Sequence, residues 1–205
     1  MTDLTVLTIG HSTHSIEEFL GLLETHGVES VSDVRSSPHS QRQPQFNRDS
    51  LRRVLEERGI GYDFLGRQLG ARSDDLSCYE NGRVQYRRLA GTSLFQSGLD
   101  CVVQEARERR VALLCAEKEP LDCHRTLLVA RELVARGVAV SHIHADGHLE
   151  TQSEALTRLL ESSETQEEHL FLTREQLIED ACDRREAQIA YVMPHMHREP
   201  EANPE

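Results

Sequence analysis

The sequence predicts an α/β fold, in which a mostly parallel sheet has helices on both faces and is followed by a C-terminal acidic helical extension. In the first 150 residues, short apolar runs alternate with amphipathic stretches, which is the pattern of βαβ units. The apolar runs are nearly continuous, as expected for strands that are covered on both faces. From about residue 151 the chain becomes acidic and keeps only a helical period.

The first half of the predicted domain begins with a strand and a helix, and a long loop follows the second strand. Ser15 and Glu18 form a capping-box pattern that opens the first helix, which stops at Gly27. The stretch 36–47 is rich in Pro, Ser and Gln and cannot continue a strand. The predicted strands are 6–9, 28–34 and 60–64, and the predicted helices are 15–27 and 49–58.

The second half opens with an irregular region that is rich in Gly and Arg and then resumes the alternation. Residues 1–150 are predicted as one α/β domain, 151–193 as the acidic helical extension and 194–205, with three prolines, as a disordered tail. The predicted helices are 94–110 and 122–136, and the predicted strands are 111–115 and 138–143, the latter being the last strand of the sheet.

Composition narrows the class of protein. A chain of 205 residues is long enough to bury its own core, and it contains no apolar run that could cross a membrane and no secretory leader pattern. Five cysteines, an odd number at irregular spacing, indicate reduced thiols rather than a disulfide framework. These features predict a cytoplasmic protein that does not associate with membranes.

The charge is unevenly distributed along the chain. The formal net charge of −12 disfavours indiscriminate binding to nucleic acid. Residues 34–72 nevertheless carry eight arginines against four acidic residues, a net charge of +4, whereas residues 150–205 carry five arginines against fourteen acidic residues, a net charge of −9. Lys118 is the single lysine, so nearly every cation is a guanidinium suited to phosphate or carboxylate.

Polar clusters follow three of the predicted strands, and a fourth cluster opens a predicted helix. Ligand sites of open α/β sheets lie beyond the carboxyl ends of the strands, so these clusters are expected to converge on one site. The clusters are Gly10-His11-Ser12, Asp33-Val34-Arg35, Cys115-Ala116-Glu117 and Cys123-His124-Arg125.

Cys123, His11 and Glu117 are the candidate catalytic residues. Pro120 and Asp122 are helix-start signals that would place Cys123 in the first helical turn, where the helix dipole favours a thiolate. His11 would act as acid or base, and Glu117 would orient it or the thiol. Structural alternatives remain, because Cys123 could pack as a small hydrophobe, His11 could brace the turn after its strand, and Glu117 could pair with Arg125 or Lys118.

The candidate substrate-binding residues are mainly cationic or polar. Arg35 and Arg125 would clamp an anion such as phosphate or carboxylate. The loop 42–48 mixes guanidinium, amide and aromatic groups, a composition suited to covering a ligand or stacking a base. Tyr62, Tyr79 and Tyr86 could extend this surface or be half-buried core residues. The full set is Arg35, Arg125, His124, Ser12, Asp33, Arg42, Phe46 and Asn47.

Cys115 and Cys123 form a candidate redox pair or part of a metal site. Cys115 lies at the end of an apolar strand, which favours a core position. Zinc binding would need Cys115, Cys123 and His124, with His11 as a further ligand, but the spacing matches no compact zinc pattern. No cofactor is therefore predicted. His195 and His197 are interpreted as solvated side chains of the tail.

Four ordered motifs also carry a family resemblance. Thr8-Ile9-Gly10-His11-Ser12, Asp33-Val34-Arg35, Pro44-Gln45-Phe46-Asn47, and Cys115-Ala116-Glu117 followed by Cys123-His124-Arg125 occur in order. Together they resemble the YeaO-like family, domain of unknown function 488, over roughly residues 4–148. The resemblance implies a compact α/β fold and a pocket lined by the motifs, and it implies no established reaction.

Three functions follow from these residues. The first is an enzyme that acts on an anionic substrate bearing phosphate, such as a nucleotide or nucleic acid. The second is a non-catalytic module that binds phosphate or nucleic acid, and the third is a structural metal-binding domain. The chain has no Gly-rich dinucleotide fingerprint and no phosphate-loop motif, which disfavours a conventional nicotinamide or nucleoside-triphosphate enzyme. The C-terminal helices could support oligomerisation.

Overall fold

The computed structural model describes residues 4–162 and 172–194, and a six-stranded sheet forms its centre. The strands are β1 (Thr5–Gly10), β2 (Ser30–Asp33), β3 (Gly61–Phe64), β4 (Tyr79–Glu80), β5 (Arg83–Val84), β6 (Val111–Cys115), β7 (Ala139–Ile143) and β8 (Leu149–Thr151). The order in the sheet is β3-β2-β6-β1-β7-β8, and β4 and β5 form a separate hairpin. Every pair in the sheet is parallel except β7 with β8, so the predicted α/β fold is confirmed.

The helices alternate with the strands as the periodicity predicts. The capping box of the first helix is present, with the Ser15 side chain accepting from the amide of Glu18 and the Glu18 side chain accepting from the amide of Ser15. The helices are α1 (Ile16–Thr25), α2 (Arg48–Glu57), α3 (Gly66–Leu69), α4 (Tyr86–Ala90), α5 (Ser93–Ala106), α6 (Arg131–Ala135), α7 (Gln152–Ser162) and α8 (Arg174–Ile189). Short 3₁₀ turns occupy Pro44–Phe46, Leu76–Cys78 and Pro120–Asp122.

The core has two halves, one on each face of the sheet. Alternate residues of β1 point to opposite faces, so Leu7 packs with α1 and α2 and Val6 packs on the other side with α5, α6, α7 and α8. Each fully buried apolar side chain stabilises the fold by roughly 1.5–3 kcal/mol. Burial on both faces explains why β1 and β6 are apolar along nearly their whole length.

Two predictions for the second half of the domain are wrong. The helix predicted from Asp122 begins at Arg125, because Pro120–Asp122 closes its own 3₁₀ turn and Cys123 is extended, with φ −137° and ψ 142°. The segment Arg125–Ala130 is π-helical and leads directly into α6. The strand predicted over 138–143 is also not the last, since residues 144–148 turn back into the short antiparallel strand β8.

The C-terminal helices pack on the sheet domain. Ala181 and Cys182 of α8 are buried against the same core half as α5. The Glu186 carboxylate accepts from the amide of Tyr86 at 2.7 Å, and Val192 forms a bridge with Arg83. The predicted C-terminal helical segment is thus present, and α8 lies against α4 and the hairpin. The predicted disordered tail falls almost entirely in 195–205, outside the described residues.

No described helix combines the length and the apolar content that a membrane crossing requires.

Candidate functional site

The carboxyl ends of β1, β2 and β6 bring the predicted site residues to one edge of the sheet. Gly10 lies beside Cys115 in the register of β1 and β6, and Asp33 lies beside Leu114 in that of β2 and β6. The amides of His11 and Ser12 donate to the carbonyls of Cys115 and Ala116 at 3.0 and 2.9 Å. The segments after β1 and β6 are therefore joined by backbone hydrogen bonds.

Two thiols, a carboxylate and an imidazole meet beyond β6, and we refer to Cys115, Glu117, Cys123 and His124 as the thiol cluster. The Sγ atoms of Cys115 and Cys123 lie 2.8 and 3.0 Å from the same oxygen of Glu117, Oε2. The same two sulfurs lie 3.6 and 3.9 Å from Nδ1 of His124. Both cysteines and the histidine are buried.

Local backbone structure sets these orientations. Because Cys123 is extended between a 3₁₀ turn and the π-helical segment, its side chain turns toward the end of β6. Nε2 of His124 lies 3.1 Å from the carbonyl oxygen of Val34, just after β2. Because a carbonyl oxygen can only accept, Nε2 of His124 carries a proton, and Nδ1 faces the two sulfurs.

The thiol cluster lines a cavity of about 250 Å³, which we refer to as the site cavity. Arg35, Arg72 and Tyr86 line it as well, and Ile189 and Tyr191 close it from the C-terminal side. A larger cavity of about 520 Å³ lies between the hairpin and α8, but its lining holds exposed charged side chains and none of the thiol cluster. Of these two cavities, only the site cavity is lined by the thiol cluster.

The ionisation of the two thiols is strongly coupled. Burial alone raises the pKa of Cys115, but hydrogen bonding with Cys123 and the charge of His124 bring this pKa down to about 6. Burial, and then the neighbouring Cys115, raises the pKa of Cys123 well above its usual range. Of the two thiols, Cys115 therefore ionises first, whereas the sequence pointed to Cys123.

Glu117 and His124 respond to the same contacts. Burial opposes the charged form of Glu117, yet hydrogen bonds from the two thiols hold its pKa below the usual range. Burial also opposes the charged form of His124, but the neighbouring Cys115 and Glu117 raise its pKa. A thiolate on Cys115 at 2.8 Å from an ionised Glu117 would be repelled, so this contact requires a proton or a cation between the two groups.

Arg35 is held by an acidic partner from the same strand end. Its guanidinium donates to both carboxylate oxygens of Asp33, at 2.9 and 2.6 Å, and the hydroxyl of Tyr62 donates to the same carboxylate at 2.7 Å. Asp33 is fully buried. Its role is thus to orient and partly neutralise Arg35, and it does not itself line the site cavity.

Arg125 does not line the site cavity, contrary to the prediction of an anion clamp. Its side chain is completely buried, and the guanidinium donates to the carbonyls of Glu117 and Lys118 at 2.9 and 3.2 Å. Its positive end thereby fixes the turn that carries Glu117. The ion pair that the sequence suggested between Glu117 and Arg125 is replaced by these backbone contacts.

His11, Phe46 and Asn47 form part of the packing beside the site. The rings of His11 and Phe46 are stacked with centroids 4.4 Å apart, and Phe46 is 1% exposed, so it cannot stack a base. Burial is the main reason that the pKa of His11 falls to about 4. The side-chain oxygen of Asn47 accepts from the amide of Ser40 at 2.6 Å.

The remaining predicted contacts lie outside the lining of the site cavity. Ser12 adopts a left-handed conformation, with φ 47°, at the turn after β1, and Arg42 is exposed on the long loop. The sequence missed Arg72, Ile189 and Tyr191 as lining residues. Arg72 falls in the basic segment 34–72, which was a usable signal, whereas no local pattern connects Tyr191 with the strand ends.

Cys115, Cys123 and His124 also form a group suited to a metal ion. One ligand atom from each lies within 4.8 Å of the others, and all three residues are buried. His11 is not part of this group; its Nδ1 lies 3.0 Å from the carbonyl oxygen of Ser12. His195 and His197 lie outside the described residues.

Comparison with known proteins identifies the family. No curated protein and no solved structure matches the chain. The family described as Domain of unknown function DUF488 matches residues 15–131, which is more than half of the chain. This match spans the end of β2, the long loop and the whole thiol cluster. The chain therefore belongs to the DUF488 family, of which YeaO-like is another name.

Proposed function

We propose that the protein is an enzyme that acts on a small phosphate-bearing molecule in the site cavity. The thiol cluster supplies the reacting groups, and Arg35 and Arg72 contact the anion. The observation that carries this proposal is the convergence of two buried thiols, a carboxylate and an imidazole on one wall of a cavity that guanidinium groups also line.

The energetic cost of the thiol cluster supports a functional role. Burying a carboxylate and an imidazole costs stability unless each is paired, and an apolar set of similar volume would pack at lower cost. The cluster instead places its polar atoms at a strand end beside a cavity. Strongly perturbed ionisable groups in a cleft are typical of catalytic sites.

The size of the site cavity suits a small molecule, and its lining sets Arg35 and Arg72 beside the acidic Glu117 and Asp122. A volume of about 250 Å³ suits a sugar phosphate or one part of a nucleotide rather than a polymer. Arg35 shares its charge with Asp33, whereas no carboxylate in residues 4–162 and 172–194 lies within ion-pair distance of Arg72. Arg72 is therefore the guanidinium whose charge an incoming phosphate can take up.

A non-catalytic binding module is the second candidate. The same guanidinium groups would hold phosphate, and the thiol cluster would serve only to position the turn between β6 and the π-helical segment. Turnover separates the two functions, because only an enzyme loses product formation when a thiol of the cluster is changed while phosphate binding persists.

Binding of inorganic phosphate tests the anion site. Arg72→Ala removes one charge-assisted hydrogen-bond donor, worth about 1.5–3 kcal/mol, so phosphate affinity should fall roughly 10- to 100-fold by calorimetric titration. Arg83→Ala, on the exposed hairpin, is the control and should leave affinity unchanged. Equal affinity in Arg72→Ala and the wild type would show that the site cavity is not the anion site.

Incubation with nucleoside monophosphates and sugar phosphates tests the chemistry. Mass spectrometry of the products should show turnover by the wild type and by Cys101→Ser, which changes an exposed thiol on α5. Cys123→Ser should reduce turnover by at least about 100-fold, in line with loss of a group that acts in the transition state. Phosphate binding without turnover of any ester would establish the binding module instead.

A further inference from the structure

We propose that Cys115, Cys123 and His124 bind a zinc ion whose fourth coordination position faces the site cavity. This inference deepens the proposed function, because the zinc ion would be the group that contacts the substrate. It rests on the proposed function only for the claim that substrate binds at the fourth coordination position. Binding of the metal itself rests on the geometry of the three side chains.

The distances between the ligand atoms match a tetrahedral zinc site. Zinc binds thiolate at about 2.3 Å and imidazole at about 2.0–2.1 Å, so in a tetrahedron a sulfur and a nitrogen ligand lie about 3.6 Å apart. The sulfurs of Cys115 and Cys123 lie 3.6 and 3.9 Å from Nδ1 of His124. All three ligand atoms fall within 4.8 Å of one another, and a tetrahedral zinc site needs the two sulfurs about 3.8 Å apart.

The surroundings orient these atoms as ligands. Nε2 of His124 is engaged by the carbonyl of Val34 at 3.1 Å, and a metal-binding histidine usually donates its other ring nitrogen to such a partner. The amide of Arg125 lies 3.4 Å from the sulfur of Cys123 and donates to it, which supports a thiolate.

The charge of the site also suits a cation. The two thiols donate to one carboxylate oxygen of Glu117 at 2.8 and 3.0 Å, so this carboxylate adds negative charge beside the two sulfurs once they become thiolates. A divalent ion balances two buried thiolates while neutral His124 adds no charge. Two sulfurs and one nitrogen are soft and borderline donors, which favour zinc over magnesium or calcium.

Three protein ligands leave one position open, as in catalytic rather than structural zinc sites. Each of the three ligands lines the site cavity, and Glu117 lines it beside them. Once the thiols have given up their protons to bind the metal, Glu117 no longer receives hydrogen bonds from them. Its carboxylate is then available to a water or substrate at the open position.

Titration of the reduced, chelator-treated full-length protein with Co²⁺ tests the site. Cobalt occupies tetrahedral zinc sites and produces an intense near-ultraviolet charge-transfer band when thiolates bind it. We expect this band to saturate at one equivalent of Co²⁺ and to disappear when one equivalent of Zn²⁺ is added. Absence of the band in the wild type would overturn the proposal without any variant being needed.

Variants locate the metal. Cys115→Ser and Cys123→Ser should each lower the intensity of the charge-transfer band and weaken Co²⁺ binding by at least tenfold. Cys182→Ser, which changes a buried thiol of α8 outside the cluster, is the control and should leave the titration unchanged. A band that persists in both cluster variants, or that is lost in Cys182→Ser, would place the metal elsewhere and refute the assignment.

Failure of this inference is distinguishable from failure of the proposed function. Phosphate binding that depends on Arg72, together with turnover but without the cobalt band, would refute the zinc site and keep the enzyme. A stoichiometric zinc site without phosphate binding would keep the metal and refute the phosphate-directed function.

Discussion

Gly10 allows the turn after β6 to approach the end of β1. A Cβ atom at this position would lie 1.8 Å from the carbonyl oxygen of Glu117 and 2.4 Å from a guanidinium nitrogen of Arg125. The first contact is with backbone and cannot be relieved by a side-chain rotation. The hydrogen-bonded turn and the position of Glu117 therefore both require a glycine at position 10.

Gly10→Ala should accordingly damage the site and the fold together. We expect the free energy of unfolding, measured by urea denaturation, to fall by about 1–3 kcal/mol, which is the usual cost of overpacking. Gly21→Ala is the control, because a Cβ on this residue of α1 meets nothing within 4 Å. It should stabilise the protein by about 0.5–1 kcal/mol. Equal effects of the two changes would contradict the structure.

Arg125 provides a second test at the residue scale. Arg125→Met keeps much of the side-chain volume but removes two charge-assisted hydrogen bonds to the turn, each worth about 1.5–3 kcal/mol. Unfolding by urea should show a loss of at least about 3 kcal/mol. Arg58→Met removes an exposed ion pair with Glu24 and should cost less than about 1 kcal/mol. A loss below 1 kcal/mol for Arg125→Met would contradict the supporting role.

The contrast between Arg125 and Cys115 shows how far sequence reasoning reaches for single residues. The predicted strand ends indicated that Cys115, Glu117, Cys123 and His124 would lie near one another, and the four side chains do lie together in the structure. The orientation of each side chain depends on neighbours that are distant in sequence. Arg125 turned inward to two carbonyls, and Phe46 packed on His11, and neither outcome has a local signal.

At the scale of elements, a buried hydrogen-bonded chain ties β1, β7 and α7 together. Nδ1 of His142 on β7 lies 2.8 Å from the hydroxyl of Thr8 on β1, and Nε2 lies 2.8 Å from the side-chain oxygen of Gln152 at the start of α7. The Gln152 amide donates to the carbonyl of Thr126 at 3.2 Å. Burial is the main cause that lowers the pKa of His142 to about 4.

This histidine should make stability depend on pH. The unfolded chain takes up the proton near pH 6.5 and the folded protein only near pH 4, so between these values protons favour unfolding and stability rises with pH. His142→Gln should reduce the slope of unfolding free energy against pH in this window by up to about 1.4 kcal/mol per pH unit. His39→Gln, on the exposed loop, is the control. An unchanged slope in His142→Gln would refute the assignment.

Most elements were predictable because hydrophobic period and capping are local properties. The capping box at Ser15 and the apolar strand Val111–Cys115 appear where the pattern places them. The start of the helix after β6 was not predictable from the sequence, because Pro120 and Asp122 belong to a separate 3₁₀ turn and Arg125–Ala130 is π-helical. In this arrangement Nε2 of His124 lies 3.1 Å from the carbonyl of Val34, which is 90 residues earlier in the chain, and no local pattern encodes such a contact.

At the scale of the whole molecule, α8 and the residues after it complete the site cavity. Tyr191 lies under the guanidinium of Arg72, with 4.6 Å between the central guanidinium carbon and the ring centroid. This contact joins the C-terminal segment to the loop before the hairpin. The segment that the sequence marked only as an acidic extension thus contributes directly to the wall of the site cavity.

Tyr191→Ala should weaken anion binding through Arg72. Loss of a partly exposed cation–π contact, worth about 0.5–1 kcal/mol, should reduce phosphate affinity roughly two- to fivefold in a calorimetric titration. Tyr191→Phe keeps the ring and should bind phosphate as the wild type does. Weaker binding in both variants would point to the hydroxyl instead of the ring.

The most direct test of the central claim is nuclear magnetic resonance of the ¹⁵N-labelled protein during titration with inorganic phosphate. The site cavity predicts that saturable shifts concentrate at the amides of Arg35, Arg72, Glu117 and His124. Saturable shifts confined to the larger cavity, at Glu80, Arg87 and Asp183, or no saturable shifts at all, would contradict the assignment of the thiol cluster and its cavity as the working site.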